Sequence, residues 1–124
     1  MAFIADIIFD SGLDYLTTNG ESVYLCSQEP TTYTEAVSTY ALADENAVSM
    51  GAAAAGATDG RRVIVPAITG GDVTGTGTVT HWAVVKTTAT TALLATGALA
   101  SSQAITSGNT FDMAAFSITI RDAA

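Results

Sequence analysis

The first apolar positions of the chain are grouped at its N-terminus. Residues 3–9 form an apolar run that predicts a first strand or an extended arm. Asp10 then offers an N-cap for a short helix over residues 11–18. Leu13 and Leu16 would form the apolar side of that helix.

The middle of the chain gives weaker signals. Residues 22–27 are apolar and β-prone and predict a strand, which Pro30 ends. Residues 31–40 fit one helical turn or a loop. Residues 46–50 are a weak strand candidate, and the small side chains of residues 52–58 indicate a mobile loop.

Turn signals become regular from Asp59-Gly60 onward, and they separate strand-like segments. Because Pro66 removes a backbone donor, its strand is expected at a sheet edge or with a bulge. The pattern predicts an all-β fold: an antiparallel β-sandwich or small barrel, Ig-like or jelly-roll-like, with one short N-terminal helix. Residues 1–124 would form a single β-domain, with residues 1–9 as a candidate N-terminal arm. The predicted strands are residues 61–68, 73–87, 92–99 and 111–121.

Alternation within two strands predicts which side faces the core. Phe116, Ile118 and Ile120 alternate with polar residues, so they should form one core face. In the Thr-rich strand, Gly75 and Gly77 share a face that Thr side chains do not occupy. Glycine weakens a strand unless close packing requires it, so this face should lie close against a neighbouring element.

Charge and composition exclude several classes of protein. The chain of 124 residues has 4 basic and 12 acidic side chains, a formal net charge of −8, and 48% hydrophobic residues. Such a chain is too apolar for a disordered protein and too poor in cations for a nucleic-acid partner. The N-terminus lacks the basic start of a secretory signal, and residues 93–105 are too few for a membrane span. The single Cys26 predicts a buried, inert thiol in a reducing cytoplasm.

A search for catalytic and metal-binding patterns gives no strong candidate. His81 is the single histidine and is expected to be structural. One His and Cys26 do not make a zinc site, and residues 75–77 lack the helix of a dinucleotide-binding motif. Residues 44–46 fit a solvated acidic loop better than a cation site. We therefore expect no cofactor, no metal and no enzymatic activity.

Cationic and aromatic residues are the better candidates for an interface. Arg61 and Arg62 supply half of the positive charge and open a strand. They would either protect a sheet edge or dock against an acidic partner. Tyr33 and Tyr40 lie in loop-like sequence and are interface candidates, whereas Trp82 is expected in the core.

The N-terminal segment is a further interface candidate. Phe3 and Ile4, together with Ile7 and Ile8, are more apolar than a free tail should be. They would form either a core strand or an arm that docks on a neighbouring subunit.

Several segments resemble a known group of proteins. Residues 23–36 read Val-Tyr-Leu-Cys-Ser-Gln-Glu-Pro-Thr-Thr-Tyr-Thr-Glu-Ala, and Thr-Tyr-Ala-Leu follows at residues 39–42. The second stretch comprises residues 78–85, 93–99 and 105–111. The chain resembles small proteins encoded among the virion-structure genes of tailed bacteriophages and related prophages. The resemblance implies a virion component and brings no catalytic residues with it.

The leading functional expectation is a capsid decoration, or cement, protein that binds the outer surface of the head shell. Its partners would be the major capsid protein or other virion proteins, with homo-oligomers also open. It would be located in the virion, which is assembled in the host cytoplasm, without nucleic-acid or membrane partners. One alternative is a tail, fibre or head–tail junction component with an adhesive β-module. Another is a carbohydrate-active enzyme or lectin-like module.

Overall fold

One α-helix precedes the strands. The helix, α1 (Asp6–Asn19), buries Phe9, Leu13 and Leu16, whose spacing of four and three residues places them on one face. At its end, the amide of Gly20 donates to the Leu16 carbonyl at 2.7 Å. The computed structural model describes residues 5–46, 48–56, 58 and 60–121.

The helix begins at Asp6, earlier than the predicted start at residue 11. Asp10 therefore lies inside α1 and is not its N-cap, and Ala5 precedes the helix without a capping side-chain hydrogen bond. The prediction of a strand or extended arm is wrong for residues 6–9. Burial of Phe9 beside the later leucines stabilises the additional turn.

The remaining elements are mainly antiparallel strands, as the sequence predicts. A six-stranded sheet has the order β7-β6-β1-β2-β5-β8 and curls into a half-barrel. A smaller sheet has the order β3-β4-β9. The predicted β-rich fold with one N-terminal helix is confirmed. The strands are β1 (Ser22–Cys26), β2 (Ala41–Glu45), β3 (Ala54–Ala55), β4 (Arg61–Val65), β5 (Ile68–Val73), β6 (Gly77–Lys86), β7 (Ala92–Ile105), β8 (Thr110–Met113) and β9 (Phe116–Ile120).

Two predicted strands are each divided between the two sheets. Pro66 lies between β4 and β5, and neither at an edge nor in a bulge of one strand. It has no amide donor, so it suits the point where the ladder ends and the chain changes sheets. Ala114 and Ala115 lie at the second change of sheet, between β8 and β9. The predicted strands 61–68 and 111–121 were therefore each too long.

Other boundaries also differ from the pattern. Residues 46 and 48–50 are not in a strand, whereas Ala54–Ala55 pairs with β4 inside the predicted mobile loop. Strand β6 begins at Gly77 rather than at residue 73, because residue 73 still belongs to β5. The predicted strand over residues 22–27 and helical turn within residues 31–40 are present, the latter as a π-helical turn (Glu35–Thr39).

The main core lies between the two sheets. Val23 of β1 and Val63 and Val65 of β4 are fully buried in it. Trp82 of β6 packs against Phe116 of β9 with ring centroids 4.6 Å apart. This aromatic pair joins the two sheets directly.

The predicted close packing of the glycine face is confirmed. A Cβ atom added at Gly75 or at Gly77 would lie 3.0 Å from a methyl carbon of Leu42. Leu42 belongs to β2 and packs against the main core. The two glycines therefore make room for a large side chain from another strand.

Glu21 fastens the turn after β6 to the start of β1. Its carboxylate accepts the Thr87 amide at 2.7 Å, the Thr88 amide at 3.0 Å and the hydroxyls of both residues. The Thr88 hydroxyl, followed by the Thr87 amide, lowers the pKa of Glu21 from 4.5 to about 2. The carboxylate thus serves as the hydrogen-bond acceptor for two backbone amides of this turn.

We expect Glu21 to make stability depend on pH in acid. Its pKa is lower in the folded chain than in the unfolded chain, so its contribution is present above about pH 4.5 and is lost towards pH 2. The variant Glu21→Gln should be less stable than the wild type at pH 7 and should lose less stability on acidification. Thermal unfolding between pH 7 and pH 2 checks this. Parallel curves for the two proteins would contradict it.

Candidate functional site

Arg61, a candidate docking residue, is already engaged within the chain. Its Nε donates to one Asp10 oxygen at 2.8 Å and its Nη2 to the other at 3.2 Å. The hydrogen bond to Asp10 raises the pKa of Arg61 above its ordinary value. Because β4 is the middle strand of the small sheet, the interpretation that Arg61 protects a sheet edge is wrong. This residue instead fixes α1 on β4.

Arg62 lies on the opposite face of the same strand. Its Nη1 lies 3.4 Å from the Ser117 hydroxyl, and its buried Nε has no hydrogen-bond partner in the described part of the chain. Adjacent residues of a strand point to opposite faces, so the two arginines do not form one cationic patch. The edge-protection interpretation is wrong for Arg62 also, since β4 is central.

Tyr33 and Tyr40 are half-buried on the outer face of the six-stranded sheet. They pack, with Tyr24, against a small second core that contains the buried Cys26 and Ala83. They therefore help to cover a sheet face, and they lie away from the arginines. Phe3 and Ile4, the remaining interface candidates, lie outside the described residues.

Cys26 is completely buried in this second core. Its thiol donates a weak hydrogen bond to the Ala36 carbonyl at 3.5 Å, and burial raises its pKa from 9.0 to about 11. A thiol with a high pKa that solvent does not reach is a poor nucleophile. The predicted burial is confirmed.

We expect the native Cys26 thiol to react with Ellman's reagent at least ~100-fold more slowly than the unfolded chain. The neighbouring Ser27 is exposed, so Ser27→Cys combined with Cys26→Ala provides a matched control that should react at once. Absorbance of the released thiolate at pH 8 measures both rates. Equal rates in the two folded proteins would contradict the protection of Cys26.

His81 and Asp44, which were considered as catalytic or metal-binding residues, each lie close to other polar side chains. The His81 Nδ1 lies 2.8 Å from the Thr80 hydroxyl, and Nε2 lies 3.6 Å from a Glu29 oxygen. Asp44 lies opposite Asp72 on the neighbouring strand, and burial, followed by that charge, raises the pKa of Asp44.

No three His, Cys, Asp or Glu side chains in the described ranges are grouped as metal ligands. Of the helices described, none has the length and apolar character needed to span a membrane.

Helix α1 has an exposed apolar surface of which the sequence analysis named only Ile8, as part of a predicted strand or arm. Ile8 is 64% exposed and Tyr15 is 54% exposed, and they lie four residues before and three residues after Gly12. These three residues share one side of α1, which we name the helix flank. Ile120 of β9 adjoins the helix flank and is 38% exposed, so it does not complete the predicted core face. The signal in the sequence is that Ile8 and Tyr15 are two helical turns apart, next to the buried row that contains Phe9.

Strand β7 and its connections form an uncharged surface. Residues 87–111 contain no Asp, Glu, Lys, Arg or Pro. Several small side chains of β7 are exposed, including Ala98, Ala100 and Ser101. We name this region the uncharged surface; it contrasts with a chain whose net charge is −8.

The half-barrel is open beside the uncharged surface. Strands β7 and β8 are the two edges of the six-stranded sheet, and side chains from both line one groove. This seam groove has a volume of about 280 Å³. The apolar residues that line it are Leu25, Val79, Leu99, Ala100, Ile105, Phe111, Met113 and Ala114. Its polar lining residues are Ser101, Gln103 and Asp112, and the Asp112 carboxylate accepts the Gly70 amide at 2.8 Å.

The structure thus places Tyr33 and Tyr40 together on one sheet face, away from Arg61 and Arg62, which point to opposite faces of β4. It also presents two other apolar surfaces, the helix flank and the seam groove. Comparisons with protein-family models, with curated proteins and with solved structures give no match to this chain.

Proposed function

We propose that this chain is a structural protein of a tailed-phage virion that decorates the outer surface of the head shell. The resemblance of residues 23–36 and 78–85 to small virion proteins supports this proposal. The observation that carries it is the uncharged surface with the seam groove beside it. Binding would take place there, against the major capsid protein or a neighbouring virion protein.

The uncharged surface suits a protein contact for an electrostatic reason. Bringing a charge into an interface removes its water, and this costs free energy unless a partner compensates for it. Residues 87–111 avoid that cost, and the Asp112 carboxylate that also lines the seam groove already has a partner within the chain, the Gly70 amide at 2.8 Å. Their small side chains also allow the backbone of a partner to come close.

The seam groove adds apolar area to the same contact. A partner side chain that enters it would remove Leu99, Ile105 and Phe111 from water. Buried apolar anchors in pockets supply most of the binding energy of protein interfaces. The acidic remainder of the chain would face outward, away from the DNA inside the shell.

The proposed activity is mechanical. A protein that binds the assembled lattice, and not the free subunits, stabilises the lattice by mass action. A modest affinity at each site is sufficient, because the contact repeats over the whole shell.

The test uses heads that lack this protein, together with two matched variants. Gln103 lines the seam groove and Gln28 is exposed elsewhere, so Gln103→Glu and Gln28→Glu add the same charge without changing size. We expect wild type and Gln28→Glu to bind heads and raise their thermal stability, and Gln103→Glu to bind roughly tenfold more weakly or worse. Failure of the wild type to bind heads would overturn the proposed function. Equal binding by all three proteins would exclude the seam groove as the contact.

Copy number distinguishes the alternative, a tail, fibre or head–tail junction component. Quantitative mass spectrometry of the purified particle should give hundreds of copies for decoration. A value between three and about a dozen would favour the alternative.

A further inference from the structure

His81 and Glu29 lie together on the outer face of the six-stranded sheet. His81 of β6 pairs with Cys26 of β1, which belongs to the second core on that face. Glu29 lies in the loop that follows β1. The His81 side chain is 23% exposed and the Glu29 side chain is 60% exposed, and the His81 Nε2 is 3.6 Å from a Glu29 carboxylate oxygen. Both groups are therefore accessible to a small ion from solvent.

Hydrogen bonds of Thr80 determine which nitrogen of His81 carries a hydrogen. The pairing of β6 with β7 shifts between Val79 and His81, and this bulge allows the Thr80 side chain to turn towards the imidazole. The Thr80 hydroxyl donates its single hydrogen to the Ser27 carbonyl at 3.0 Å. Its oxygen can then only accept, so the His81 Nδ1, 2.8 Å away, has to be the donor. In the neutral imidazole, Nε2 is consequently left with a free lone pair that faces Glu29.

The loop that carries Glu29 is held in place on both sides. The Ser27 amide donates to the Tyr40 carbonyl at 3.0 Å, and the Ser27 carbonyl accepts the hydroxyl from β6 described above. Pro30, which is buried, follows Glu29 directly and restricts its backbone to extended conformations. Because the backbone is fixed at these points, Glu29 is directed towards His81 before any ligand binds.

We propose that His81 and Glu29 bind a zinc ion through Nε2 and the carboxylate. Zinc binds imidazole nitrogen at about 2.0–2.1 Å and carboxylate oxygen at about 2.0–2.2 Å, so two such ligands of a tetrahedral ion lie about 3.4 Å apart. The observed 3.6 Å is close to this separation, whereas it is too long for a hydrogen bond. A second hydrogen bond that fixes the tautomer, as Thr80 does here, is typical of histidines that bind metal. Mg²⁺ and Ca²⁺ fit less well, because they prefer oxygen ligands.

The site is smaller than the three-ligand clusters considered above, because water would occupy the two remaining positions of the tetrahedron. Its effect would be to join the loop after β1 to β6. Zinc should therefore raise the thermal stability of the wild type and not that of Glu29→Gln.

Titration calorimetry of the full chain with zinc chloride tests the site. Glu29→Gln removes the carboxylate, and Gln28→Glu combined with Glu29→Gln moves it by one residue while the net charge stays at −8. We expect one zinc ion per wild-type chain and at least ~10-fold weaker binding by both variants. Equal binding by the three proteins, or no binding by the wild type, would overturn the proposal.

Nitrogen-15 NMR identifies the tautomer and the ligand atom, and His81 is the single histidine, so its signals need no assignment. At about pH 8, the zinc-free imidazole should carry its hydrogen on Nδ1, and zinc should shift the Nε2 signal. Thr80→Val should lose the preference for this tautomer and bind zinc ~10-fold more weakly, whereas Thr80→Ser should retain both properties. A hydrogen on Nε2 in the zinc-free wild type would overturn the proposal. This result does not depend on whether the chain binds phage heads.

Discussion

Replacing Gly60 by Ala is expected to reduce the free energy of unfolding by about 3 kcal/mol or more. Gly60 has φ +71°, a conformation that L-residues with a side chain rarely adopt. In addition, a Cβ at this position would overlap the carbonyl oxygen of Ile120 on β9. Neither backbone can move without disturbing the pairing of β4 with β9.

Gly70 provides a matched control for this prediction. Its φ of +72° is almost the same, but a Cβ added there would meet no atom within 4 Å. Gly70→Ala should therefore cost about 1 kcal/mol, from the backbone conformation alone. Urea unfolding followed by circular dichroism measures both variants. Equal losses would mean that the overlap with Ile120 has no energetic effect.

The strands were predictable because their signals are local. The alternation around Phe116 and the turn residues between segments identify β-structure without knowledge of the partner strand. The assignment of strands to sheets was not predictable in this way. Pro66 marked an interruption, but whether the chain continues in the same sheet or crosses to another depends on distant pairings.

The start of α1 shows a conflict between two local signals. Residues 6–9 have β-prone isoleucines, and Asp10 resembles an N-cap. Burial of Phe9 with Leu13 outweighs both signals, because tertiary packing supplies most of the stability of short helices. The result is a helix with two apolar sides, one buried and one exposed.

The contacts of the interface candidates within the chain were not predictable, for a related reason. Arg61 was correctly recognised as unusual, but its partner Asp10 lies 51 positions away in the sequence. Tyr33 and Tyr40 were placed in loop-like sequence, and that loop folds back over a sheet face. Contacts between residues that are distant in the sequence depend on the order of strands in the sheets, and the pattern of apolar and polar residues does not predict that order.

The uncharged surface was, by contrast, readable from the sequence. The absence of charge from residues 87–111 needs no structural knowledge. Whether this uncharged segment is exposed or buried could be decided only from the fold, because buried strands also lack charged residues. The structure shows that β7 is an edge strand with exposed small side chains.

Trp82→Ala is the second change for which we expect a large effect, a loss of about 3 kcal/mol in the free energy of unfolding. Trp82 joins the two sheets through Phe116, and its indole also covers Gly97 of β7. A Cβ added at Gly97 would lie 2.5 Å from the ring, so the glycine is required for the indole to fit. Removing the ring leaves a cavity between three strands.

A double-mutant cycle separates the ring contact from the cavity. Trp82→Ala and Phe116→Ala should each destabilise the chain, with a coupling of about 1 kcal/mol because their rings touch. Trp82→Phe should restore most of the lost stability, since it retains an aromatic ring against Phe116. Trp82 is the single tryptophan, so circular dichroism has to replace tryptophan fluorescence as the measurement. Additive losses in the double variant would mean that the two sheets are held together by the surrounding valines and not by this aromatic pair.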